Sequence, residues 1–258
     1  MRTIKELYEY RQMIFGLVKK DLRGRYKGSV LGFLWTFINP LLQLIVYTFV
    51  FSIVLRAGIE KYYLFLFVAL IPWIFFSTAV AGGAGCVLAQ KGMVTKIYFP
   101  REVLPISHVT SAFVNMLYTF VVVLVVVFIA GVRPSILALL CLPVIMIVEY
   151  LLALGIAMIV SAVTVFFRDM EYIIGIVVMA WQFLSPVMYS VDAVPEKLRG
   201  VFMMNPMTSI IMAYREVLYY GKVPQLSTLL LAVVMGIVFL VIGFVVFGRL
   251  KRRFAEEL

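Results

Sequence analysis

One histidine, two cysteines and one carboxylate set inside apolar sequence are the side chains here with most chemistry to offer. His108 has no partner histidine, and no cysteine or carboxylate stands at metal-ligand spacing from it. Enzymes acting on lipid-linked sugars or phosphates gather acids and bases to bind metals or transfer protons. No such gathering exists here. Asp192 and Glu196 are an isolated pair in a connection and read as a solvated turn. Cys86 and Cys141 lie in separate apolar stretches and read as buried free thiols. The glycine-rich run 85–92 lacks the G-x-x-x-x-G-K-[ST] order, so no P-loop is expected, and no metal or cofactor is expected in this chain. Glu149 stands out as the one charge inside a long apolar stretch. Charge at mid-bilayer costs roughly 2.5–3.5 kcal/mol, which makes it a functional candidate by default. Counted from Pro143, it lies about two helical turns from the outer end. There a structural role, near water or bonded to a neighbour, is the expectation, and ion coupling has thin support.

The elements that position these residues are set by where charge is missing. The 23 basic and 13 acidic residues of 258 are confined to islands. Between them run the stretches 28–55, 62–90, 103–132, 134–167, 172–191 and 223–248, and only Glu149 interrupts them. Each meets the roughly 20 residues that a helix needs to cross a bilayer. Hydrophobic residues make up 64% of the chain, against about 45–50% in soluble domains. The run 120–129 is apolar on every face, which excludes a barrel strand of alternating pattern. In lipid, internal backbone pairing overrides its β-branched propensity. The expected fold is an all-α membrane protein: six transmembrane helices, an N-terminal amphipathic interfacial helix, and short re-entrant helices before the last span.

A net charge of +10 invites nucleic acid, but the cations flank spans. Residues 1–27 carry eight, 91–102 three and 248–258 four. The positive-inside rule then places both termini in the cytoplasm of a multi-pass inner-membrane protein and gives no role to nucleic acid. The connection 192–222 carries Lys197, Arg199, Arg215 and Lys222 and argues less clearly. The start mixes both charges and does not read as a signal peptide.

Along the chain, 3–20 reads as an amphipathic helix with Ile4, Leu7, Met13, Ile14, Leu17 and Val18 at helical spacing, suited to membrane lipids at the interface or to a partner. Arg23, Arg25 and Lys27 follow at the inner boundary, as a topological anchor or as guides for an anionic headgroup. Small residues at 79–85 favour close helix packing over a substrate-lining role. In 91–102, Thr95 is expected to open a short helix that Pro100 ends. Ile97, Tyr98 and Phe99 then form an apolar knob, either lying on headgroups or docking into a groove of a soluble partner. Trp35, Trp73 and Trp181 are expected near span ends. Ser185-Pro186 and Asn205-Pro206 interrupt apolar sequence, and 200–214 is too short for an ordinary span. The single domain 1–258 divides into an entry (1–28), a six-span region (29–249) and a tail (250–258).

These blocks, taken in order, carry a resemblance. Arg25 to Gly32 followed by Trp35, Asn39-Pro40, Lys96 to Glu102, Phe167-Arg168-Asp169 and Asn205-Pro206-Met207 resemble the permease of type-2 ABC exporters, the kind that exports O-antigen, capsule or teichoic-acid polymers. The resemblance implies a homodimer served by two copies of a cytoplasmic ABC ATPase, which binds the ATP and Mg. The substrate would be an undecaprenyl-pyrophosphate-type lipid-linked glycan. It implies that Thr95, Lys96, Ile97, Tyr98, Phe99, Pro100, Arg101 and Glu102 couple to the ATPase, with Arg168 and Asp169 as a second contact. Substrate entry would fall to Arg23, Arg25 and Lys27. The channel or external gate would fall to Tyr47, Phe51, Trp181, Tyr189, Phe202, Asn205, Pro206 and Tyr214. The alternatives are a type-2 permease for drugs or lipids, an ion-coupled carrier, and a membrane enzyme of envelope assembly.

Overall fold

The computed structural model describes residues 2–25 and 27–258, so Tyr26 of the basic block lies outside the described residues. Their regular structure is all helical, with no strand among them. Five stretches are long and apolar enough to cross a membrane: Gly32–Val54, Tyr62–Ala84, Val103–Ile129, Ile136–Phe166 and Leu226–Arg253. The first joins a 3-10 turn, Gly32–Leu34, to α3 (Trp35–Thr48) and a π-helical end, Phe49–Val54. The others contain α4 (Tyr62–Ala84), α6 (Val103–Ile129), α7 (Ile136–Phe166) and α11 (Leu226–Leu250).

The sixth apolar stretch is built differently. Its helix, α8 (Met170–Phe183), has 14 residues, about 21 Å, against roughly 30 Å of hydrocarbon. Pro186 lacks an N–H and disfavours helix at the residue before it, so the helix stops short. Pairings between helices give their directions. Glu171 lies against Gly85 and Trp181 against Phe76, so α8 runs antiparallel to α4 and ends near its middle. Non-helical chain continues the climb until the Tyr62 hydroxyl donates to the Met188 carbonyl at 2.7 Å, at the start of α4.

The chain then forms α9 (Glu196–Met203) and turns back inward to Asn205. From there α10 (Pro206–Leu218) is inserted among α4, α7 and α11, with Met207, Ile210 and Ile211 buried. α4 is the axis of the packing, buried on nearly all sides. Trp73, expected near a span end, is 3% exposed at its midpoint. The helix starts at Tyr62, so Trp73 lies about 17 Å into it, among the packed core rather than at a boundary.

The leader forms two helices rather than one, α1 (Arg2–Glu9) and α2 (Arg11–Gly24), broken at Tyr10. Leu7, Met13, Ile14 and Leu17 pack against the core and Val18 is buried, while the side chain of Ile4 lies outside the described ones. α2 lies along the first half of α6.

The tightest contact joins α7 to α11. They run parallel, Gly236 against Val148 and Gly243 against Gly155. A Cβ at Gly243 would stand 2.4 Å from the Gly155 carbonyl oxygen, so only glycine permits this approach. Gly83 meets Ala157 in the same manner, the packing role expected of the small residues at 79–85. Gly243→Val should lower stability in detergent by about 3 kcal/mol, read by thermal unfolding. Gly248→Val, which faces open space, should be neutral. Equal effects would contradict the packing.

Candidate functional site

The loop between α4 and α6 begins with α5 (Lys91–Lys96). It starts at Lys91, continuous with a 3-10 turn at Leu88–Gln90, and not at Thr95. The Thr95 hydroxyl instead donates back to the Lys91 carbonyl at 3.0 Å, the bond a threonine makes within a helix. The expected apolar knob divides in two. Ile97 is 59% and Tyr98 92% exposed, whereas Phe99 is 5% exposed and belongs to the core. Thr95 and Lys96 are exposed, Pro100 and Glu102 buried and Arg101 half-buried. Arg168 and Asp169 are exposed in the turn before α8.

The basic entry is less free than its sequence suggests. Arg25 donates through Nε and Nη2 to Asp21 Oδ2, at 3.3 and 3.1 Å. The Ser111 hydroxyl of α6 donates to the same oxygen. Burial works against charge on Asp21, but the bonds from Ser111 and Arg25 more than offset it and hold the carboxyl below its usual value. Arg23 and Lys27 are exposed. Arg23 and Lys19 rim an apolar groove of about 590 Å3 walled by Phe15, Val18, Leu22 and Phe33. A second cavity, of about 440 Å3, lies between α2 and the ends of α4 and α6, with Lys20, Gln90 and His108 in its lining. His108 sits 3.3 Å from the Thr78 carbonyl, consistent with a structural role.

The interrupted region is knotted by two side chains. Asn205 caps α10, accepting from the Met207 N–H and from Trp181 Nε1, each at 3.0 Å. Its Nδ2 donates to the Leu184 carbonyl at 3.1 Å and to Ser185 Oγ at 2.9 Å. Arg215, 4% exposed, donates to the carbonyls of Val187 at 2.7 Å, Tyr189 at 3.1 Å and Phe65 at 3.4 Å. Its guanidinium carbon lies 3.5 Å from the Phe65 ring centroid, stacked as a cation on the π face. No carboxylate among the described residues takes part.

The other expected channel residues scatter. Phe51 stacks on Tyr62 at 6.2 Å, Tyr189 meets Phe202 edge-on at 6.4 Å, and Tyr47 is half-buried on α3. Trp181, Phe202, Asn205 and Pro206 line an apolar cavity of about 470 Å3. Tyr214 is not at a boundary. It is fully buried and donates to Glu149 Oε2 at 2.8 Å, facing the core rather than an open path. Glu149 also lies deeper than counted. α7 starts at Ile136, capped by the Ser135 hydroxyl, and carries Pro143 in its interior. Glu149 is therefore about 20 Å into the helix, and its Oε1 has no hydrogen-bond partner.

Reading the sequence missed Arg215, taken as a loop cation, although the uncharged run 200–214 before it was the signal. Asp21 was missed too, although its four-residue spacing from Arg25 is the ordinary helical ion-pair signal.

The pattern that defines the ABC-2 type transporter family matches residues 12–219. A Myxococcus xanthus protein named O-antigen export system permease protein RfbA is 34% identical over 260 residues, covering 100% of both chains. A Klebsiella pneumoniae protein of the same name is 35% identical over 242 residues, 94% of this chain and 93% of the relative. More distantly, the Escherichia coli polysialic acid transport protein KpsM is 22% identical over 215 residues, 81% of this chain and 82% of the relative.

The folded Asp21 carboxyl titrates below its unfolded value of about 3.9. Its contact therefore contributes fully above that value and is lost only as the pH falls through the lower, folded one. A spin label at Lys19→Cys should keep one mobility between about pH 8 and about pH 5. Asp21→Asn should add a mobile component at neutral pH. An unchanged spectrum in that variant would remove Asp21 as the tie of the leader.

Proposed function

The chain belongs to the ABC-2 type transporter family, and from that premise we propose that it is the membrane-spanning subunit of an ATP-driven exporter. Its cargo is a lipid-linked polysaccharide of the O-antigen, capsule or teichoic-acid type, moved from the cytoplasmic side outward. Two relatives covering nearly the whole chain carry O-antigen export in their names. The chain works as a homodimer with two copies of a cytoplasmic ABC ATPase, which binds ATP and Mg.

The observation that carries the reading is Tyr98, 92% exposed beside the 59% exposed Ile97, on a loop whose next residues are buried. A large aromatic held in solvent by a fastened loop suits insertion into a partner's cleft. Arg168 and Asp169 add the smaller second contact. Six crossings put both termini in the cytoplasm. The fifth consists of α8 and the non-helical run 184–189, with α9 and α10 as the re-entrant pair and 1–24 as the interfacial leader. The groove rimmed by Lys19 and Arg23 pairs apolar walls with exposed cations. That combination suits a lipid tail below a pyrophosphate headgroup. Arg25, neutralised by Asp21, holds the leader, so Arg23 and Lys27 carry the headgroup contact.

Tyr98→Ala should reduce ATPase co-purification by about tenfold, the scale of a lost aromatic anchor, without changing the thermal stability of the permease. Phe99→Ala should instead destabilise the fold by about 3 kcal/mol. With both proteins in proteoliposomes, ATP should drive a lipid-linked glycan across the bilayer, and the chain alone should hydrolyse none. ATP hydrolysis by the chain alone, or ATPase binding indifferent to Tyr98, would contradict the reading.

A further inference from the structure

The loop that carries Tyr98 is fastened at its far end by the last residues of the chain. Glu102, 2% exposed, is the residue before α6. Its Oε1 receives Lys251 Nζ from the end of α11, and its Oε2 has no hydrogen-bond partner. Arg101 Nη1 donates to the Lys251 carbonyl, and its guanidinium carbon lies 5.8 Å from the Phe254 ring centroid. Phe254 is fully buried, its ring 5.5 Å from Phe247 of α11 and 6.2 Å from Phe166 of α7. Three segments distant in sequence thus meet in one joint: the end of the loop, the end of α7 and the end of α11.

We propose that this joint is a second output of the docking loop, with Lys251 and Phe254 as positioning residues for transport. The inference rests on reading 91–102 as the ATPase-docking loop. Covalently, that loop delivers its displacement to α4 and α6. α11 packs chiefly on α7 and α10, so it would otherwise follow α6 only through intermediaries. The Lys251–Glu102 pair shortens the route. Separating it leaves the buried Glu102 carboxylate without its cation, which is costly, so the loop and the end of α11 move together. The glycine contact between Gly155 and Gly243 then carries α7 with α11. One stroke of the partner reaches α6 through the chain and the α7–α11 pair through the joint.

The test uses the permease–ATPase complex in proteoliposomes, with Lys251→Glu, Glu102→Lys and the double exchange. Lys251→Glu should keep ATPase co-purification and hydrolysis within about twofold, while glycan moved per ATP falls at least about fivefold; Glu102→Lys, on the docking loop itself, is read by that ratio alone. The double exchange should restore most of that ratio. Lys251→Met, which keeps the length without the charge, should behave as the single variants do if charge reversal prevents assembly. Transport per ATP at the wild-type ratio in the single variants would overturn the proposal. A parallel fall of yield, hydrolysis and transport with the ratio intact would also overturn it. Tyr98→Ala, read by co-purification alone, tests the docking reading separately.

Discussion

A backbone that leaves the helix inside an apolar slab must find its hydrogen bonds within the protein, and most of this architecture answers that demand. The run 184–189 leaves the helix within the apolar interior of the protein, with Ser185 to Met188 buried. Its carbonyls at Leu184, Val187, Met188 and Tyr189 are taken by Asn205, Arg215, Tyr62 and Arg215 in turn. Two of those three donors reside on α10 or cap it. The non-helical ascent therefore requires α10 inside the bundle, and α10 can be there because most of its buried residues, Met207, Ile210, Ile211, Val217 and Leu218 among them, are apolar. Arg215 needs no carboxylate, since carbonyl dipoles and the face of Phe65 solvate its charge.

A mechanical division of the molecule follows. α4 is buried by its neighbours and α7 is locked to α11 by glycines, so these helices form a stiff body. Around it stand pieces held on fewer sides: α2 packed along α6 and tied to it by Asp21 and Ser111, α8 with a largely exposed face, and α3 touching chiefly α4 and α6. An exporter that passes a polymer needs such a division, because the path must open without unfolding the walls. The faces of α3 and α8 that the chain itself leaves uncovered are apolar. The joint of Glu102, Lys251 and Phe254 connects the stiff body to the loop that carries Tyr98.

Charge absence was enough to locate the long helices, because a span excludes charge over its whole length whatever its tertiary surroundings. It could not reveal continuity. The stretch 172–191 is as apolar as the others, and only the effect of Pro186 on helix geometry separates a 14-residue helix from a full span. Thr95 was misplaced because threonine suits both a cap and an internal back-bond, and the sequence does not tell which turn begins the helix. Tyr98 was legible as an aromatic among cations. Phe99 was not distinguishable from it, since adjacent residues differ only in which way the extended backbone at Ile97 turns them. The pairings of Tyr214 with Glu149 and of Lys251 with Glu102 join positions far apart in the chain, beyond any local pattern.

Arg215 closes the non-helical ascent, and Val187, fully buried beside it, reports on that directly. With Cys86 and Cys141 replaced, Val187→Cys should resist an impermeant external thiol reagent when Arg215 is present. It should become reactive in the Arg215→Leu background, while the protein still assembles in the membrane. Protection that persists without Arg215, or rapid labelling with it intact, would contradict the account.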